Sequence, residues 1–89
     1  MAERRVVIRN RTGLHMRPAE VMAHAASKFR SDIYLTKDDV TVNGKSIMGV
    51  MMLAAEYGSE IIIQAVGEDE HTALETLSGI VEDGFGEGT

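Results

Sequence analysis

No cysteine occurs in this chain. Disulfides and thiolate metal sites are therefore excluded, and the composition agrees with a reducing compartment. Aromatic side chains are scarce: Phe29, Tyr34, Tyr57 and Phe85 are the whole set. A core so short of rings has to be built from Val, Ile, Leu, Ala and Met. No apolar run approaches the length that crosses a bilayer. Only Val6, Val7 and Ile8 follow the charged start Glu3-Arg4-Arg5, too few for the core of a secretory leader. A long basic run is also missing, and the net charge is −5, which disfavours nucleic acid as a partner. What remains is ordinary: 44% apolar and 26% charged residues in an 89-residue chain. That composition suits one compact domain over residues 1–89 with one modest core. The expectation is a soluble, cytoplasmic protein with no membrane insertion.

The hydrophobic pattern alternates between period two and period 3.6. Residues 5–9 read as a strand, with Val6 and Ile8 on one face and Arg5, Val7 and Arg9 on the other. Residues 10–13 form a turn. A helix follows over residues 16–29, with Met22, Ala25, Ala26 and Phe29 on one stripe and Glu20, His24 and Lys28 on another. Ile33 and Leu35 alternate with Tyr34 and Thr36, and Val40 and Val42 with Thr41 and Asn43. These two strands form a hairpin across Lys37-Asp38-Asp39. Ser46 is placed to N-cap a short helix over residues 47–55, with Gly58 as its stop. Ile61-Ile62-Ile63 marks a central strand over residues 60–66. Asp69 is expected to cap a last helix whose face is Ala73, Leu74, Leu77, Ile80 and Val81. Gly84 ends that helix, and residues 85–89 read as a glycine-rich tail. The order β-α-β-β-α-β-α predicts two layers, a partly antiparallel sheet with helices on one face.

The three histidines separate by context. His24 lies between Glu20 and Lys28 at helical spacing and reads as a solvated surface residue. His71 stands among Glu68, Asp69 and Glu70, which also reads as surface, and no metal site is predicted. His15 differs. Thr12-Gly13-Leu14-His15-Met16-Arg17-Pro18 delivers an imidazole to the start of a helix, where Pro18 suits the first turn. Free N–H groups, the positive end of the dipole and the Arg17 guanidinium make this an anion-binding corner. From the residues alone, a structural role for His15 and a reactive one are evenly matched.

The stretch from Thr12 to Ala19 resembles the active-site signature of the HPr family, the histidine-containing phosphocarriers of the bacterial sugar phosphotransferase system. A distant second stretch, Asn43-Gly44-Lys45-Ser46-Ile47-Met48-Gly49-Val50-Met51, resembles that family's regulatory-serine segment. Chain length, element order and Gly67-Glu68-Asp69-Glu70 agree as well. The resemblance implies an open-faced β-sandwich of α+β class, with a four-stranded antiparallel sheet in the order 1-4-2-3 and three helices on one face. It implies a carrier that is not an enzyme in itself, binds no cofactor and works as a monomer. His15 would take a phosphoryl group on Nδ1 from phospho-Enzyme I and pass it to EIIA domains. Arg17 would pair with the phosphate, and Thr12, Gly13, Met16 and Pro18 would support the site. Ser46 would be modified by an HPr kinase/phosphorylase and read by a transcription regulator. Two residues depart from the family pattern: Met16, where alanine is usual, and Glu20, a negative charge near the expected docking face.

The helix after Ser46 has apolar residues all round, and one short helix cannot bury every side. Ile47, Met48, Met51 and Met52, with Glu20 and His24, are therefore expected to form a docking surface, flexible methionines suiting several partners. Two other readings stay open. One is a mainly regulatory HPr-like protein, working through phospho-Ser46 or in a nitrogen-related branch. The other is a small α/β domain that holds a carboxylate at the His15–Arg17 corner.

Overall fold

The computed structural model describes residues 1–87. Strands β1 (Ala2–Val7), β2 (Asp32–Lys37), β3 (Val40–Asn43) and β4 (Glu60–Val66) form one sheet in the order β1-β4-β2-β3. Every neighbouring pair is antiparallel. Helices α1 (Met16–Ala26), α2 (Ile47–Met52) and α3 (Glu70–Glu82) follow the predicted order. A single 3-10 turn, Gly84–Gly86, closes the described chain.

Alternation explains which face of the sheet is covered. Val6, Ile33, Leu35, Ile61, Ile63 and Ala65 all point into the core with the helices. Their in-between neighbours Arg5, Tyr34 and Glu60 are exposed, and Ile62 and Gln64 are half-buried. β4 is central in the sheet, as its triple isoleucine predicts, but only one of its faces is packed under helices. α1 contributes Ala19, Met22 and Ala26, and α3 contributes Ala73, Leu74, Leu77 and Val81. The core is aliphatic apart from Phe85, with half-buried Phe29 packed against it.

Several boundaries differ from the sequence reading. β1 begins earlier, because Ala2 through Val7 pair in unbroken register with Ala65 through Glu60. The polar residues Glu3 and Arg4 hid this, since ladder hydrogen bonds need no apolar side chain. Ile8 extends the contact without being a strand residue: its N–H donates to Ser59 O and its carbonyl accepts from Gly58. α1 stops at Ala26 rather than Phe29. Lys28 and Phe29 donate three residues back, to Ala25 and Ala26 carbonyls at 3.2 Å, and the Ser27 hydroxyl takes the Ala23 carbonyl at 2.8 Å. α2 stops at Met52, well short of Gly58. The break is at Ala54, which adopts φ +53° although it is not a glycine, so sequence offers no stop signal there.

Asp69 occupies the N-cap position of α3 but its carboxylate makes no cap bond. It accepts instead from the Arg30 N–H at 2.9 Å, the Ser31 N–H at 2.9 Å and the Ser31 hydroxyl. These bonds, the Ser31 hydroxyl first, hold its pKa down to about 2. Asp69 thus ties the start of α3 to the α1–β2 junction.

The end of the chain departs most from expectation. Phe85 is buried, only 7% exposed, in a left-handed backbone conformation at φ +57°. It packs in the same core as α1 and α3. Residues 85–87 are therefore a docked turn rather than a tail, and residues 88 and 89 of the expected tail lie outside the described residues.

Candidate functional site

The loop from Ile8 to His15 is pinned by its own backbone and by the segment after α2. Gly13 N–H donates to Asn10 O at 3.1 Å, and Leu14 N–H to Ala55 O at 2.9 Å. Leu14 and Ala55 are both buried. Gly13 adopts φ +70°, and a Cβ there would meet Ala55 O at 2.7 Å. Only glycine fits both the conformation and the close approach. Asn10, fully buried, donates its side-chain amide to Gly13 O at 2.8 Å and to the Thr12 hydroxyl at 3.2 Å. Together these bonds set the point at which the chain enters α1.

His15 is the N-cap of α1, with extended backbone angles and no side-chain cap bond. Its carbonyl accepts the first helical bond, from Ala19 N–H at 3.0 Å. The preceding N–H groups of Met16 and Arg17 are left open by helix geometry, and Pro18 has none to lose. The imidazole is about half exposed, at 45%. Met16 is 57% exposed, Arg17 is exposed and Pro18 is buried. Among the described residues Arg17 forms no ion pair, so its guanidinium is available beside the helix N-terminus. His15 and Arg17 thus stand at the N-cap and in the first turn of α1.

The corner also contains an anion that the sequence reading missed. Glu87 Oε2 lies 3.4 Å from His15 Nε2. Its Oε1 accepts from the Thr12 hydroxyl at 2.8 Å and the Asn10 amide at 3.2 Å. The Thr12 hydroxyl above all, then the Asn10 amide and His15, holds the Glu87 carboxyl below its ordinary range. A negative group therefore stands beside His15 in addition to the helix start and Arg17 named from the sequence. The available signal was an aromatic between two glycines, Gly84-Phe85-Gly86, which burial converts into a turn.

Ser46 is a true N-cap: its hydroxyl accepts from Gly49 N–H at 3.0 Å. Of the residues expected on the docking surface, Ile47, Met48 and Met52 are exposed at 42%, 69% and 72%. Met51 is half-buried against the core and offers less than expected to a partner. Arg17, Glu20, His24 and Ile47 line one shallow groove together with Lys45, so α1 and α2 bring four predicted residues to a common surface. Lys45 was not anticipated; its ammonium donates to Phe29 O at 2.8 Å, which links the Ser46 segment to the end of α1. His71 is exposed, 3.9 Å from the Glu70 carboxylate.

The sequence matches the family model described as "PTS HPr component phosphorylation site" over residues 2–83. The chain belongs to the HPr family. HPr proteins are phosphocarriers of the phosphotransferase system and not catalytic enzymes. The HPr-like protein Crh of Bacillus subtilis is 46% identical over 83 residues, 93% of this chain and 98% of its own. The phosphocarrier protein HPr of Xylella fastidiosa strain 9a5c is 44% identical over 89 residues, all of both chains. Among solved structures, HPr-C-His from Thermoanaerobacter tengcongensis superposes with a TM-score of 0.95 at 44% identity, covering both chains fully. An HPr dimer from the same organism matches with a TM-score of 0.78 at 45% identity, over 98% of this chain and 100% of that one. The HPr fold, a sheet in the order 1-4-2-3 with three helices, is the one this chain adopts. No helix among the described residues is long and apolar enough to cross a membrane.

Proposed function

We propose that this HPr-family chain, acting as one domain over residues 1–89, carries phosphoryl groups on His15 in the phosphoenolpyruvate-dependent sugar phosphotransferase system. The observation that carries the proposal is a half-exposed imidazole at the N-cap of α1, with Arg17 in the first turn forming no ion pair among the described residues. A phosphate on that ring meets open backbone N–H groups, the positive helix end and a guanidinium able to bind it through two hydrogen bonds. Phospho-Enzyme I is the donor and an EIIA domain the acceptor, both docking on the groove of Glu20, His24 and Ile47 and on the exposed Met48 and Met52. Ser46 is the regulatory position for an HPr kinase/phosphorylase. Its phosphate adds about 1.5 to 2 negative charges at a helix start, where the fold tolerates them, so the effect falls on docking. The protein works in the cytoplasm as a monomer, which sedimentation tests against the dimeric relative.

Incubation with Enzyme I and phosphoenolpyruvate is expected to yield an acid-labile, base-stable phosphate that His15→Ala abolishes. Failure of wild-type protein to take up phosphate under these conditions refutes the carrier reading. A second reading, a mainly regulatory protein, is favoured by the 46% identity to Crh, a protein described in B. subtilis as the Catabolite Repression HPr. It predicts acid-stable phosphate that depends on ATP and a kinase and is lost in Ser46→Ala, without uptake at His15.

A further inference from the structure

We propose that Glu87 is a positioning residue for His15: its carboxylate holds the ring proton on Nε2 and leaves Nδ1 as the open lone pair. The contact is Glu87 Oε2 to His15 Nε2 at 3.4 Å. A neutral imidazole carries its one proton on either nitrogen, and the hydrogen bond made by one nitrogen selects the state of the other. A carboxylate carries negative charge and no proton to donate, so at this distance it favours the tautomer with the proton on the nitrogen it faces. Glu87 is not a free tail side chain brushing the ring. Its other oxygen is seated by the Thr12 hydroxyl at 2.8 Å and the Asn10 amide at 3.2 Å, donors from the same loop that delivers His15. Buried Phe85, two residues earlier, anchors the turn that brings it there. The carboxylate also leaves Arg17 alone, which keeps the guanidinium for an incoming anion.

For its chemistry the inference rests on the phosphoryl-carrier reading. The Nδ1 lone pair forms a bond to phosphorus while the bond from phosphorus to the donor's phosphoramidate nitrogen breaks, and that electron pair stays with the donor. The His15 ring keeps its Nε2 proton throughout and becomes an N-phosphorylated imidazolium. Its positive charge then faces the Glu87 carboxylate. Onward transfer returns the pair to Nδ1, and no proton has to move in either direction. A carboxylate ordering an imidazole from behind in this way is the arrangement that orients histidines in metal sites and triads.

The test uses the full chain with ¹⁵N-labelled histidine, comparing wild type with Glu87→Gln and Glu87→Ala. At a pH where the ring is neutral, wild-type His15 is expected to show the Nε2–H tautomer by its two nitrogen shifts. Glu87→Gln can present an amide donor to that nitrogen and is expected to raise the Nδ1–H fraction; Glu87→Ala is expected to release the bias. Phosphoryl uptake from Enzyme I should fall about two- to fivefold in Glu87→Gln, the scale of a partly exposed ion pair, with an unchanged thermal midpoint. Identical ¹⁵N shifts in all three proteins overturn the proposal without any phosphorylation assay. A shifted tautomer with an unchanged uptake rate overturns its role in transfer. A wild type that shows the Nε2–H tautomer yet accepts no phosphate supports the positioning and refutes the carrier reading instead.

Discussion

Replacing Phe85 by alanine tests whether the end of the chain belongs to the site. Burial of a phenylalanine side chain is worth about 1.5–3 kcal/mol by transfer, and deep Phe→Ala changes cost about 3–5 kcal/mol when a cavity remains. Phe85 lies in the last turn and is 7% exposed, so the truncated segment can lift away rather than enclose a void. The transfer value is therefore the relevant one. Lifting away also relieves the left-handed backbone at Phe85, a conformation that costs an L-residue roughly 1–2 kcal/mol. The net loss is then about 0.5–1 kcal/mol. With a urea dependence of about 1–1.5 kcal/mol/M, suited to a small chain, the midpoint should move down by about 0.5 M at constant slope. Urea titration followed by far-ultraviolet circular dichroism reads this directly. In the same variant Glu87 loses its anchor, so the His15 nitrogen shifts should match those of Glu87→Ala. A midpoint shift below about 0.3 M, with the slope unchanged, would refute the claim that Phe85 holds the turn in the core.

Three further outcomes are expected. Met48→Ala, at a side chain 69% exposed, should change stability by no more than about 0.5 kcal/mol while weakening binding to Enzyme I in calorimetry; a large drop in thermal midpoint with unaltered binding would place Met48 in the core. Ser46→Ala removes the bond from Gly49 N–H and should cost about 1 kcal/mol in denaturant, whereas Ser46→Asp should retain the fold and slow phosphoryl uptake. Asp69 has its pKa lowered from 3.8 to about 2 by the Ser31 hydroxyl and by the Arg30 and Ser31 amides. A depressed carboxylate stabilises the fold fully above its unfolded pKa, and that contribution disappears as pH falls through the folded value. The stability gap between wild type and Asp69→Asn should therefore be level above about pH 5 and close between about pH 4 and 2; a gap that persists at pH 2 would contradict this.

The match between expectation and structure follows from the range over which each signal acts. Apolar alternation in Ile33-Tyr34-Leu35 and the stripe Ala73, Leu74, Leu77 and Val81 are local consequences of strand and helix geometry. They were legible, as was Ser46 as a cap, because a hydroxyl and an N–H three residues on need only each other. The stop of α2 at Ala54 was not, since an alanine in the left-handed region is held there by its surroundings and carries no mark in its side chain. Asp69 shows the same limit: an aspartate before a helix reads as a cap, yet its partners Arg30 and Ser31 are nearly forty residues distant.

The corner from Thr12 to Pro18 divides along that line. Sequence alone determined that an imidazole and a guanidinium meet a helix start, because Gly13, Pro18 and the apolar spacing of α1 settle where the helix begins. It also determined that the Ser46 helix could not hide all its apolar side chains. Only the tertiary structure decided what stands behind His15. Glu87 reaches Nε2 because Phe85 finds the aliphatic core and folds the chain end against Asn10 and Thr12. No local propensity encodes a contact between residues 15 and 87. It forms because burying one ring offsets the cost of ordering the last turn.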